Sequence, residues 1–333
     1  MKKSLKWEFW PFWLFYIPVY VHWLWYSLKS RSLVFFSAAN PTMNLGGFSA
    51  YSKYQVLDLI PTKVVPAMFL LQPSQYEKAN KLCNQHKISF PLIAKPDLGE
   101  RGFGVALITS ETELNDYLTT AKNDIIIQEY IDFPIELGIM YHRLPGEKKG
   151  HITSVVSKEF LTVTGDGQST LIELFKQGKR TYYHFEMLCI KYHDKLKSVL
   201  PKNKKIQLQE IGNHSRGTTF LNANHLINDK LHEVFDAIAI EINGFYFGRF
   251  DLRVSSIEHL YEGEQIKIME LNGAASEPAH IYDPEMKILA AYKALFSHWK
   301  NLYLVSKKNK EKGHHYTPFL KAYKQHMNYF KTR

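Results

Sequence analysis

Cysteine is nearly absent from this sequence. Cys83 and Cys189 are the only two, far apart and without metal-ligand spacing. That excludes a zinc ribbon or a disulfide framework and fits a reducing compartment. Internal repeats and low-complexity tracts are also lacking. So is a P-loop, because the glycine-rich turn at residues 99–104 is not followed by the Lys-Ser/Thr pair which that motif needs. No Asp, Glu, Lys or Arg occurs between residues 9 and 28. A hydrophobic fraction of 45% with 22% charged residues, over 333 positions, excludes a disordered chain and allows one large domain or two modest ones.

What is present begins with the uncharged stretch itself, FWPFWLFYIPVYVHWLWYSL, and five of the six tryptophans lie within the first 25 residues. Its length is roughly the 20 residues of a bilayer span. Pro11 and Pro18 would interrupt a straight helix, and Trp and Tyr prefer the membrane interface. The stretch therefore reads as a monotopic or re-entrant membrane anchor. The alternatives are a clean single span, a segment packed on the protein, or a signal peptide cleaved near SAA at 37–39. Lys29 and Arg31, standing between the apolar run and that site, weigh against the last.

The net charge of +10 sits at the ends. Lys2, Lys3, Lys6, Lys29 and Arg31 face only Glu8, and residues 300–333 hold eight lysines and Arg333 against Glu311, which leaves the middle slightly acidic. In the tail, Phe319, Tyr323, Met327 and Phe330 recur at helical steps between lysines. This is an amphipathic basic helix suited to anionic lipid, or else a terminal helix docked on the domain. No nucleic-acid motif accompanies these lysines, and nucleic acid is not an expected partner.

Between the ends, strands are expected at 67–71, in FPLIAK and GVALI, and at 124–131, 151–163, 245–254 and 266–272. Helices are expected after Ser52 and at 74–87, 110–121, 170–177, 183–197 and 285–303. Ser110 and Glu113 form a capping-box pattern. The elements mix without a strict βαβ rhythm, so the fold class is α+β.

The chemistry concentrates in FGRFDLRV and IKIMELN. Side chains alternate along a strand, so Arg249 shares a face with Asp251, and Glu270 with Asn272. If the two strands pair antiparallel, two carboxylates and an amide oxygen converge as hard ligands for magnesium. A solvated charged strand would show the same alternation. Lys95 ends a strand just before the glycine turn, where a lysine can neutralise phosphates while the turn's amides approach their oxygens; a plain hairpin turn would look similar. The strand ending in Gln128, Glu129, Tyr130 and Ile131 offers backbone edge groups to an adenine, and Glu136 could accept from ribose hydroxyls.

In this order, the strand lysine with its glycine turn, the Glu129/Glu136 stretch, RFD and ELN resemble the ATP-grasp superfamily, in particular carboxylate–amine ligases of the D-alanine–D-alanine ligase kind. The loops VTGDGQSTLIEL and NHSRGTTF resemble those of cyanophycin-synthetase-type and glutamate-adding ligases. The resemblance covers about residues 50 to 295. It implies two α+β lobes that clamp ATP; the N-terminal aromatic membrane-associating segment, read from residues 9–28, would precede them. The corresponding division is 1–45 anchor, 46–300 ATP-grasp domain with a smaller nucleotide lobe within about 85–135, and 301–333 basic tail.

Carried over, the resemblance puts Lys95 and Lys53 on the nucleotide phosphates, with Gly99, Gly102 and Gly104 folding over them. Gln128, Glu129, Tyr130 and Ile131 meet adenine, and Glu136 the ribose. Asp251, Glu270 and Asn272 hold one or two magnesium ions, and Arg249, the Gly273 amide and Arg216 serve the reacting carboxyl group. These ligases carry a further domain ahead of the SK helix, and here only about 45 residues precede it. GAASEPAHIYDP, at 273–284, is the expected acceptor loop, with Glu277 and His280 as contacts.

The activity so implied is ATP- and magnesium-dependent ligation of a small-molecule or peptide-like carboxylate to an amine through an acylphosphate, at the cytoplasmic face of a membrane. The attachment would be peripheral, re-entrant or single-span. A membrane-bound ATP-binding regulatory module without catalysis is the alternative, and a kinase is a third reading.

Overall fold

The computed structural model describes every residue except 1–6, 8, 9, 100, 101, 210, 211, 213–216, 332 and 333. The chain divides into two compact units, residues 1–157 with 222–333, and residues 158–221.

The first unit holds two antiparallel sheets. Strands β1 (Met68–Leu71), β2 (Leu92–Pro96), β3 (Ala106–Ile108) and β4 (Ile125–Glu129) lie in the order β1-β4-β2-β3. Alternation sends Leu92, Ala94, Ile125 and Ile127 into a core shared with Leu114 and Leu118 of helix Glu111–Thr120 and with Ala79 and Cys83 of helix Ala79–Gln85. The opposite face is left to Lys95 and Gln128. Residues 74–87 are a 3-10 turn, Pro73–Lys78, running into the shorter helix, because Pro73 starts the turn. The capping box at Ser110 is half formed. Its hydroxyl accepts from the Glu113 amide, while the Glu113 carboxylate accepts from Thr109.

The second sheet opens with β5 (Ile135–His142) and β6 (His151–Glu159). Strands β7 (Thr162–Thr164) and β8 (Lys205–Gln207) follow in the other unit, and β9 (Thr219–Asn222) brings the chain back, where the Ala223 amide donates to Val155. Strands β10 (Phe247–Val254) and β11 (Ile266–Asn272) complete the order β11-β10-β5-β6. In β10, Phe250, Leu252 and Val254 face Leu231, Phe235, Ile238 and Ala239 of helix Asp229–Glu241. Full burial of Phe235 alone stabilises this layer by about 2–3 kcal/mol. The odd positions, Arg249, Asp251 and Arg253, are thereby committed to the other face.

β11 contains a bulge. Glu270 pairs with Asp251 and Ile268 with Leu252, so Met269 has no residue opposite. The extra residue switches the alternation. Ile266 and Ile268 stay in the core with Leu271, whereas unbroken alternation would have placed Glu270 among them.

Both terminal segments belong to this first unit. Helices Phe12–Phe15 and Ile17–Ser30 meet at Tyr16, and the prolines start them: Pro11 caps the first, and Pro18 lies in the first turn of the second, where no amide is missed. Phe15, Tyr16 and Val19 are buried with Ile281, Ala291 and Leu295 against helix Ile288–Glu311, which extends well past the expected 303. Tyr26 stacks on Tyr303 at 4.6 Å. The other side of the same segment exposes Trp13, Ile17, Val21, Leu24, Trp25 and Leu28. Among the described residues, no helix is long and apolar enough to cross a membrane. In helix Phe319–Lys331, the expected stripe Phe319, Tyr323, Met327 and Phe330 is exposed.

The second unit is built on the β7–β8 ladder and three short helices around Leu171, Leu174, Phe175 and Leu188. Its TGDGQST turn is an Asp166 cap that accepts from the Gln168 and Ser169 amides. The single strand expected at 151–163 and the single helix at 183–197 are both broken, the latter into Phe185–Lys191 and a 3-10 turn, His193–Lys195, with a separate helix Lys179–Tyr183 ahead of it.

Candidate active site

The outward face of β10 carries the centre. Arg249 lies across from Asn272, and Asp251 from Glu270. The Arg249 guanidinium grips Asp251 through two hydrogen bonds, Nε to Oδ1 at 3.0 Å and Nη2 to Oδ2 at 2.9 Å. Asn272 Nδ2 donates to Asp251 Oδ2 at 2.9 Å. Burial works against the charge on Arg249, but Asp251 and Glu270 outweigh it and raise its pKa. Gly138 of β5, opposite Asp251, makes the room: a Cβ there would stand 3.0 Å from Asp251 Oδ1 and 2.8 Å from Val156. Sequence gave no sign of that role.

Lys95 reaches this centre from the other sheet. Its Nζ donates to Gln128 Oε1 at 2.9 Å and to the Met269 carbonyl, exposed by the bulge, at 3.1 Å. Burial pushes its pKa down to about 8, opposed by Glu270. The Gln128 amide nitrogen is buried with no acceptor among the described residues, an orphan that a bound ligand would satisfy.

Lys53 begins helix Lys53–Asp58, which is capped by Ser52, and its Nζ is 3.4 Å from the Pro96 carbonyl. A Cβ on Gly99 would stand 3.6 Å from the same ammonium, so the glycine turn and this lysine are neighbours. Asp97 fastens the helix start, accepting from the Ser52 hydroxyl and the Tyr54 amide. Gly102 and Gly104 have φ of +71° and +70°, a conformation glycine adopts without strain. At Gly104 a side chain would also strike Pro96.

Several residues expected at adenine and ribose already have partners within the protein. β4 is an interior strand, so the backbones of Gln128 and Glu129 are already paired, and only Tyr130 and Ile131 lie beyond it. The Glu129 carboxylate accepts from the Ala67 amide. Glu136 is buried in an ion pair with Arg253 at 3.1 Å, and is committed to that guanidinium instead of standing open to a ribose. Arg253 also donates to the Ile131 carbonyl at 2.6 Å and lies over the Tyr130 ring, which the alternation of FGRFDLRV could have suggested. Arg216 lies outside the described residues.

Gly273 is packed backbone to backbone against Gly46 and Gly47, where a Cβ would come within 2.6 Å of the Gly46 carbonyl. The Ala274 and Ala275 amides donate to the Gly46 and Gly47 carbonyls. Asn40 holds this loop, giving Nδ2 to Gly46 and Phe247 carbonyls and accepting from the Tyr246 and Phe247 amides. Tyr51, just past the loop, donates its hydroxyl to Asn272 Oδ1 at 3.2 Å. So residues 40–51 pack against the end of β11 and the start of the loop that follows it.

In the loop expected to contact the acceptor, His280 is buried on Ser154 and burial pushes its pKa down to about 4, which fits a packing role better than a substrate contact.

The site offers hard oxygens from Asp251, Glu270 and Asn272. Glu270 lies close enough to Lys95 and Arg249 to favour the charge on both, and its carboxylate is a hard donor of the kind a divalent cation takes. To lend its carbonyl oxygen, Asn272 would give up the Tyr51 hydroxyl.

Residues 50–139 match the RimK-like ATP-grasp domain family. No curated protein matches the sequence. Among solved structures, the chain is similar to the VanG D-Ala:D-Ser ligase from Enterococcus faecalis at 15% identity and a TM-score of 0.46, covering 78% of this chain and 64% of that one. It is also similar to the D-alanine–D-alanine ligase from Bacillus anthracis, at 16% identity and 0.48, covering 81% and 72%. For a bifunctional glutathione synthetase from Pasteurella multocida the values are 15% and 0.37, and the chain spans 38% of that protein. Lys53, the glycine turn, Lys95, Gln128 and Gly138 all lie within the segment that matches this family model, residues 50–139.

Proposed function

We propose that this chain is a membrane-associated ligase that consumes ATP, with magnesium, to join a carboxylate to an amine through an acylphosphate. The observation that carries the reading is the meeting of Lys95 with the Arg249–Asp251–Glu270–Asn272 cluster beside the bulge at Met269. In this reading Lys95 and Lys53 neutralise the phosphates while the glycine turn covers them. Magnesium held by Asp251, Glu270 and Asn272 supplies charge neutralisation at the transferring phosphoryl group. Arg249 orients the substrate carboxylate and stabilises the charge that develops when the amine adds. The paired ligand set favours catalysis over a purely regulatory nucleotide site.

Calorimetry of magnesium–ATP binding tests this. Lys95→Ala and Glu270→Ala are each expected to weaken binding by roughly tenfold or more, the scale of a lost charge-assisted contact. A wild-type protein that binds no ATP would overturn the reading.

Membrane association is supported by helices Phe12–Phe15 and Ile17–Ser30, whose residues before Lys29 include no Lys, Arg, Asp or Glu; one side is docked on the protein and the other presents Trp13, Ile17, Val21, Leu24 and Leu28 to solvent. Tryptophan-rich apolar surface of this kind lies in the lipid interface. The exposed stripe of helix Phe319–Lys331, with Lys321 and Lys324, suits anionic headgroups. ATP supply places the site on the cytoplasmic side. In flotation with vesicles containing phosphatidylglycerol, the triple variant Trp13→Ser, Val21→Ser, Leu24→Ser is expected to bind at least about tenfold less, given ~1.5–3 kcal/mol per large buried apolar side chain. Equal flotation of the two proteins counts against the interfacial reading.

A further inference from the structure

Glu277 lies outside the Asp251–Glu270–Asn272 cluster. It sits in the loop that follows β11, and its main-chain carbonyl accepts from Arg249 Nη1 at 3.3 Å, so it is tied to the same guanidinium that grips Asp251. Its Oε2 accepts from the Tyr282 hydroxyl at 2.8 Å. Its Oε1 is buried and has no hydrogen-bond partner among the described residues. Structures rarely leave a carboxylate oxygen in that condition, because an unpartnered buried charge costs several kcal/mol. Burial pushes the Glu277 pKa up to about 7.

The loop is firmly placed. Ser276 bonds the Gly273 carbonyl through both its amide and its hydroxyl, and His280 is fixed on Ser154. Ile281 is buried with Phe15, Tyr16 and Val19, and the Trp7 ring lies 6.3 Å from Tyr282. A carboxylate held this rigidly, beside an arginine suited to a carboxyl substrate and with one oxygen unused, has a shape and charge that a cationic N–H donor would complete.

We propose that Glu277 receives the acceptor substrate as a primary ammonium group, its Oε1 accepting one N–H while Tyr282 holds Oε2 in place. The inference rests on the ligase reading for the reaction, though not for the binding event. Held there, the ammonium gives one proton to Glu277, and the nitrogen lone pair forms the new bond to the acyl carbon. The carbon–oxygen bond to phosphate then breaks, with its electron pair leaving on phosphate. The remaining extra proton on nitrogen passes to the departing phosphate, and Glu277 returns its own proton to water.

Carbon-13 NMR of the full chain labelled at glutamate carboxyl carbons tests the binding event without ATP, so its outcome is separate from that of the calorimetry. The Glu277 resonance is assigned by its loss in Glu277→Gln. Ethylammonium is expected to move it saturably, and tetramethylammonium, equally charged but with no N–H, to leave it in place. Tyr282→Phe, which keeps the Glu277 resonance but removes the hydroxyl that holds Oε2, is expected to weaken the ethylammonium response several-fold. A resonance that ignores ethylammonium, or that answers both cations alike, overturns the proposal even if ATP binds normally.

Discussion

Asp251→Ala is expected to abolish magnesium-dependent ATP turnover and to destabilise the chain by about 3 kcal/mol. That is the lower end of the range for breaking a buried ion pair, because the Arg249 side chain retains 19% exposure while Asp251 has only 6%. The stability loss arises from the guanidinium left behind, and the turnover loss from the missing ligand. A second substitution separates them. Arg249→Met added to Asp251→Ala should restore most of the stability and none of the turnover. Urea unfolding and phosphate release measure the two quantities. If the single variant unfolds like wild type, the pair is not the buried structural unit described here.

Asn40→Ala carries the second large effect. Asn40 is fully buried and makes four hydrogen bonds to main-chain groups of two segments far apart in sequence. Each buried backbone group left unpaired costs about 1–3 kcal/mol, so with partial relaxation the loss should be about 3–5 kcal/mol. Asn40→Asp keeps the acceptor for the Tyr246 and Phe247 amides but loses both donated bonds, and should fall between the two. Because the Gly46–Gly47 turn that Asn40 anchors abuts Gly273, ATP turnover should decline even in temperatures where Asn40→Ala stays folded. A stability change below about 1 kcal/mol would mean that the loop is held by other contacts.

Much of this was legible in the sequence. Alternation in FGRFDLRV puts Arg249 and Asp251 on one face, and the strand lysine before three glycines marks where a backbone can approach a ligand closely. The bulge was not legible. Nothing in IKIMELN shows that Met269 is skipped in the pairing, yet that one residue decides that Glu270 faces the site. Strand order was hidden too, and it consumed the backbone groups of Gln128 and Glu129 that a lone strand seemed to offer. The ion pair of Glu136 with Arg253 was hidden because Arg253 lies far along the chain and meets it only through the β5–β10 register. Pro11 and Pro18 looked like helix breakers because a proline is read the same way at a helix start and in its middle until the start is known.

The hold on Lys95 has a consequence for the thermodynamics of binding. A free lysine side chain surrenders about 1.5–2 kcal/mol of rotational entropy when a ligand fixes it. Here Gln128 and the Met269 carbonyl have already fixed it, so that loss belongs to folding. An arriving phosphate exchanges two neutral oxygens for a charged one at a side chain that hardly needs to move. Nucleotide association should therefore be favoured in enthalpy with little entropic penalty at this residue. A variant that frees the lysine, Gln128→Ala, should keep the contact but show a less favourable binding entropy.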